Sequence, residues 1–266
     1  MNRIRTTFNK LQEKKRKALV IFLTVGDPSI TGSANLVKAA CEAGADIIEL
    51  GVPFSDPLAD GPIIQHSFTR AIAKGATLNK SMEMVEHLRT SLDTPLIYMI
   101  SSMLVLNMGV QVFMRRSASV GVDGVIIPDM PLEEASEFVP YAKSTGMSSI
   151  LLATPTSTST RLRSIVSTSS GFVYYVNVSG VTGGILAKPA EVSRSVAKIK
   201  RITKLPVLAG FGIKDPKQAR VLSKVCDGVI IGSKAIEVAN AASNNKNGIK
   251  ALDKFIRSVR KEMDRN

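Results

Sequence analysis

The chain has 266 residues, 44% hydrophobic and 21% charged, with 19 Gly and 12 Pro, a globular balance that excludes disordered, collagen-like and coiled-coil classes. Lys and Arg number 35 against 22 Asp and Glu, a net charge of +13, which favours an acidic partner such as nucleic acid, membrane headgroups or an anionic substrate. Two cysteines, Cys41 and Cys226, are too few for a disulfide scaffold, and C-x-x-C, H-E-x-x-H and Cys/His clusters are missing, so the sequence points to a reducing compartment and no structural metal.

The chain opens with an expected helix over Arg3–Glu13, followed by a basic run at 10–17 that reads KLQEKKRK. The first strongly apolar run, Ala18–Thr24, is too short for a signal peptide. Further apolar runs rich in Ile, Val and Leu follow at 46–50, 95–100, 124–128, 149–153, 172–178, 206–210 and 227–231, making eight. They lack polar alternation, as strands buried on both faces do, and the stretches between them are long enough for crossover helices. Those stretches carry helical patterns at 35–43, 81–92, 110–120, 132–144, 161–168, 190–202 and 216–225, with a last helix at 248–261. The uncharged window 94–114 has the length of a membrane span, but Ser101, Ser102, Asn107 and Gln111 interrupt it, and Asn-Met-Gly at 107–109 reads as a loop. Gly44, Gly121 and Gly146 stand where helices should end, and Asp215-Pro216 where one should begin.

Eight β/α units without a linker favour one closed (β/α)8 barrel domain over residues 1–266, an α/β fold with an extra N-terminal helix; a doubly wound open sheet is the structural alternative. The last helix places Leu252, Phe255, Ile256, Val259 and Met263 on one face and Lys254, Arg257, Arg260 and Lys261 elsewhere. The basic residues read as a solvated face rather than a nucleic-acid contact, since few aromatics accompany them.

In a barrel, chemistry belongs at the C-terminal strand ends. Glu49 closes the second run, Ile47-Ile48-Glu49-Leu50, as the one acid placed that way. Apolar neighbours should raise its pKa toward neutrality, making it an acid or base; the alternative is a rim glutamate paired with Lys or Arg. The following loop, GVPFSDPLADGP, positions a second acid, Asp56 or Asp60, unless both only cap turns. Turns bearing glycine follow the last three runs, at 179–184, Gly210-Phe211-Gly212-Ile213 and Gly232-Ser233. Their amides suit a phosphate, while no G-x-G-x-x-G or Walker sequence indicates a dinucleotide or ATP. His66 and His87 lack carboxylate partners in sequence and read as surface or packing residues, and Cys41 and Cys226 as small core residues.

The stretch from Glu49 to Pro62, ELGVPFSDPLADGP, resembles the tryptophan synthase α subunit family. So do Phe22-Leu23-Thr24-Val25-Gly26-Asp27-Pro28, Gly121-Val122-Asp123-Gly124, Pro128-Asp129-Met130-Pro131, Ser179-Gly180-Val181-Thr182-Gly183, Gly210-Phe211-Gly212-Ile213 and Gly232-Ser233. The resemblance implies a (β/α)8 barrel that cleaves indole-3-glycerol phosphate to indole and glyceraldehyde 3-phosphate, with no cofactor of its own. It implies a β-subunit partner in an αββα heterotetramer that carries pyridoxal phosphate, receives the indole and condenses it with serine. A cytoplasmic location, or the plastid stroma for a plastid-encoded chain, goes with it, without nucleic acid or membrane. By the same resemblance Glu49 is the acid/base residue, Asp60 stabilises charge at the indole N–H, and Thr182 bonds the aspartate of the second loop. Gly183, Gly212, Gly232 and Ser233 hold the phosphate, Phe22, Tyr174 and Phe211 line the pocket, and Asp56 faces the partner. The chain departs from the family after the third run, where Ser101-Ser102-Met103-Leu104 replaces the usual Tyr and Asn, and after Gly183, where Gly184 to Lys188 lack the usual arginine. The first departure leaves a second reading, a weakly active or non-catalytic activator of a β subunit.

Overall fold

A computed structural model describes residues 2–57, 60–176, 189–210, 212–241 and 244–265. In chain order these form α1 (Arg3–Glu13), β1 (Ala18–Thr24), α2 (Ile30–Glu42), β2 (Ile47–Gly51), α3 (Pro62–Ala73), α4 (Leu78–Arg89), β3 (Leu96–Met99), α5 (Ser102–Met108), α6 (Val110–Ser119) and β4 (Gly124–Ile126). A short 3-10 turn, Ala135–Glu137, leads into α7 (Val139–Thr145), β5 (Ser148–Ser149), β6 (Leu152–Ala153), α8 (Ser159–Thr168), β7 (Val173–Val176) and α9 (Pro189–Lys200). The chain continues through β8 (Val207–Gly210), α10 (Pro216–Ser223), β9 (Gly228–Ile231), α11 (Ser233–Asn240) and α12 (Asn245–Met263).

All strand pairs are parallel, in the order β5-β4-β3-β2-β1-β9-β8-β7-β6. The ends of that series, β5 and β6, are the two halves of the fifth apolar run. Its first half pairs with β4 and its second with β7, while Ile150 N–H still donates to Val125 and Leu151 C=O accepts from Tyr174. The expected fifth strand therefore changes partner midway, and the change closes the ring. This is the (β/α)8 barrel, and the open-sheet alternative falls.

Strand alternation divides the core in two. Outward residues such as Leu19, Ile21, Ile48, Leu50, Leu96 and Val229 pack under the helices. Inward residues such as Val20, Ile47, Ile97, Ile126, Leu208 and Ile230 fill the barrel, and Ile4 and Leu11 of α1 close its N-terminal end.

At that end a side chain ties alternate strands of the ring, β1, β3, β5 and β8, each to the unit after it. Asp46 accepts the Leu19 N–H at 2.8 Å, Asp123 that of Leu96 at 2.9 Å, Ser170 that of Ser149 at 2.9 Å and Asp227 that of Val207 at 3.0 Å. In each case the tying residue returns its own N–H to the same strand residue's carbonyl. Three of the four are buttressed by a cation: Arg260 on Asp46, Arg89 on Asp123 and Lys200 on Asp227.

Several local expectations change. Helix α2 begins at Ile30 rather than 35 because Ser29 caps it. The loop expected around 107–109 is mostly helix: α5 runs to Met108, and only Gly109, at φ +83°, breaks it from α6. The helix expected at 132–144 is reduced to the 3-10 turn and α7, whose Pro140 lacks the N–H an uninterrupted helix needs. Helix α3 was not foreseen, because Asp-Gly-Pro at its start also reads as a turn. Arg260 is buried rather than solvated, since its guanidinium bonds Asp46, Asp264 and the Lys17 carbonyl. Gly44, Gly121 and Gly146 end their helices at positive φ, Asp215 caps α10 through Gln218 N–H, and both cysteines are free thiols.

Candidate active site

Glu49 is the third residue of β2, inward-facing by the alternation that sends Ile48 and Leu50 out to the helices. Phe22 and Ile97 are its register partners on the flanking strands. It is 1% exposed, and neither carboxyl oxygen has a hydrogen-bond partner among the described residues. Removing a carboxylate from water without compensation strongly disfavours the ion. Burial first, and then the charge of Asp60, push its pKa up to about 8. The alternative of a rim glutamate paired with Lys or Arg does not hold.

Asp60 lies at the end of the loop after β2. Its N–H donates to the Pro57 carbonyl, and its own carbonyl accepts the Gln65 side-chain amide at 2.8 Å, which anchors it to the start of α3. Burial, followed by the charge of Asp129, raises its pKa to about 6. Asp56, Asp60 and Asp129 line one cavity of about 340 Å³ whose remaining wall is mainly apolar, including Val52, Phe54 and Met99. Asp56 is exposed at that cavity and accepts a hydrogen bond from neighbouring Ser55.

Tyr174, on β7, completes the group. Burial and then the charges of Glu49 and Asp60 hold its phenol well above the ordinary value. A Cβ at position 210 would lie 2.7 Å from the Tyr174 hydroxyl oxygen, so the glycine there makes room for the ring. Phe22 is buried in a cluster with Ile64 and Phe68 of α3 and Ile236 of α11, which joins the carboxylate side of the barrel mouth to the helix after β9. That helix, α11, starts at Ser233, and its N-cap Gly232 supplies no side-chain cap. The Ala235 N–H donates to the Gly232 carbonyl at 2.8 Å, the N–H groups of Ser233 and Lys234 ahead of it have no side-chain cap, and a helix N-terminus suits an anion. Gly212 sits at φ +59°, a left-handed conformation that favours glycine. The Thr182, Gly183 and Phe211 assignments lie outside the described residues.

Asp129 is a site residue that sequence reasoning missed. Its carboxylate accepts from the Ser101 hydroxyl at 2.7 Å and from the Ser102 N–H at 2.8 Å and hydroxyl at 3.2 Å. Ser101 and Ser102, at the loop after β3, thereby hold the Asp129 carboxylate whose charge acts on Asp60. Its position just beyond the fourth apolar run was the available signal. His66 and His87 are exposed. Among the described residues no cluster of His, Cys, Asp or Glu could hold a metal ion, and no helix is long and apolar enough to cross a membrane.

Residues 8–264 match the family model described as tryptophan synthase alpha chain. The tryptophan synthase alpha chain of Geobacter sulfurreducens is 45% identical over 238 residues, covering 90% of each chain. That of Azoarcus sp. is 41% identical over 265 residues, covering 99% of this chain and 97% of its own. Among solved structures, the tryptophan synthase subunit alpha of Legionella pneumophila superposes with a TM-score of 0.93 at 33% identity over 99% of both chains. Tryptophan synthase from Mycobacterium tuberculosis gives 0.91 at 30% identity, covering 100% of this chain and 99% of the other.

Proposed function

The chain belongs to the tryptophan synthase alpha chain family, and from that premise we propose how its residues carry out the family's lyase reaction, cleavage of indole-3-glycerol phosphate to indole and glyceraldehyde 3-phosphate. The aromatic carbon must first become a leaving group. Glu49, with its pKa near 8, holds a proton at neutral pH and gives it to indole C3. The positive charge that develops at the ring N–H is stabilised by Asp60, which with a pKa near 6 is already ionised. The Glu49 carboxylate then takes the proton from the hydroxyl on the carbon attached to C3. The carbon–carbon bond breaks, its electrons return to the ring, and indole and the aldehyde separate with Glu49 again protonated. Two acids kept apart by their surroundings supply both charge states at one pH.

Gly212, Gly232 and Ser233 hold the phosphate with their amides, joined by Gly183, while Phe22, Tyr174 and Phe211 wall the indole and Thr182 bonds the aspartate of the second loop. The chain works as one barrel domain over residues 1–266, without a cofactor of its own. Asp56 faces a β subunit in an αββα assembly, where pyridoxal phosphate on that partner condenses indole with serine. The location is the cytoplasm, or the plastid stroma for a plastid-encoded chain.

No observation favours the alternative of a non-catalytic activator. In the altered loop after β3, Ser101 and Ser102 bind Asp129, and its charge helps to raise the pKa of Asp60. The observation that carries the reading is a carboxyl at position 49 that is buried, has no hydrogen-bond partner among the described residues, and has its pKa raised by that burial and by the charge of Asp60. Glu49→Gln keeps the shape but cannot cycle a proton, so indole release, alone and with a β subunit, should fall by a factor of about 10² to 10⁴ or more with folding intact. Unchanged turnover would remove Glu49 from the mechanism.

A further inference from the structure

The N-terminal end of the barrel, opposite the reacting groups, carries positive charge that the lyase reaction does not use. Helix α1 lies across this end, with Ile4 and Leu11 in the barrel core and Phe8 edge-on to Phe172 at 6.0 Å. Two grooves, of about 580 and 1030 Å³, run beside it and share Phe8, Gln12 and the segment 203–206 as a common wall. Lys15, Arg16, Lys17, Lys200 and Lys204 line the first, and Arg5, Lys143 and again Lys204 the second. The one carboxylate in either lining is Asp227, already bonded to Val207 N–H and Lys200. Arg16 is held by Asp264, whereas Arg5, Lys15, Lys143 and Lys204 have no carboxylate partner among the described residues. Lys15 also sits at φ +52°, the only described residue other than glycine in the left-handed region, a conformation that L side chains disfavour.

We propose that the joined groove binds an extended chain of phosphates, of the class of inorganic polyphosphate. Like charges gathered along a concave strip repel one another and hold counterions, and a polyanion that displaces those counterions gains affinity. The lining offers further donors to phosphate oxygens in Asn9, Gln12 and Thr203. Nucleic acid is the poorer fit, because the one aromatic in the lining, Phe8, is engaged with Phe172 and provides no stacking platform for bases.

The test is binding of long-chain inorganic polyphosphate to the full chain over a range of salt concentrations, with single-stranded RNA as a second probe. Lys15→Gln with Lys204→Gln is compared with a control of equal charge, Lys250→Gln with Lys254→Gln, on the exposed side of α12. The groove pair should weaken polyphosphate binding at least about tenfold and reduce the salt slope by about two, one for each lost phosphate contact. The control should change affinity by less than about threefold, as expected when contacts rather than net charge decide it, and indole release should be unchanged in both pairs, which also reports that the fold is intact. Equal losses in the two pairs, no polyphosphate binding, or tighter binding of RNA than of polyphosphate at equal phosphate concentration would each overturn the proposal.

Discussion

Folding takes the Glu49 carboxyl out of water and sets it near Asp60, and its hold on a proton rises from the ordinary 4.5 to about 8. The folded state then binds more protons than the unfolded state between those values, so this group's contribution to stability is complete below pH 4.5 and lost as pH rises through 8. Asp60 acts in the same direction over the lower window from 3.8 to about 6. Denaturant unfolding of the chain and of Glu49→Gln should show the difference. The variant gains stability relative to the parent as pH climbs from 6 to 8, and a constant difference would mean that Glu49 is hydrated or paired. Glu49 was legible in the sequence because a lone acid ended an apolar strand, where alternation decides which way it faces. The bonds from Ser101 and Ser102 to Asp129 were not, since they join two loops 27 and 28 residues apart that only barrel closure brings together.

Among the elements, the ties at the N-terminal end link β1, β3, β5 and β8 each to the unit that follows. Asp123 is the most heavily used, holding Leu96 N–H together with Arg89 and Arg3. Asp123→Ala leaves the Arg89 guanidinium in a largely buried place without its counter-charge and should cost about 3 to 5 kcal/mol. Ser170→Ala removes a neutral hydroxyl from the equivalent bond and should cost about 1 kcal/mol. Chemical denaturation of both variants measures this, and equal losses would show that the charge adds nothing to the tie. The strands were readable because buried parallel strands are continuous apolar runs. What periodicity could not show was the partner change in the middle of the fifth run, or α5, which is seven residues long and carries no charge to mark an outer face.

At the scale of the whole molecule, the barrel separates two uses of charge. The C-terminal mouth gathers Glu49, Asp60 and Asp129 in a partly apolar setting, and the N-terminal face gathers cations along α1. The composition announced an excess of positive charge but not its side, because the ends of a barrel are made from segments far apart in the chain. The motifs at the mouth were legible one at a time, and parallel strands in register bring those among the described residues to one end of the barrel. The most direct measurement of the central claim, that one acid at the mouth is protonated while its neighbour is ionised, is the pH profile of kcat/KM for indole release from indole-3-glycerol phosphate. The account predicts a bell with limbs near pH 6 and 8, its upper limb set by Glu49 and its lower by Asp60. A profile that stays flat from pH 5 to 9, across both values, would contradict it.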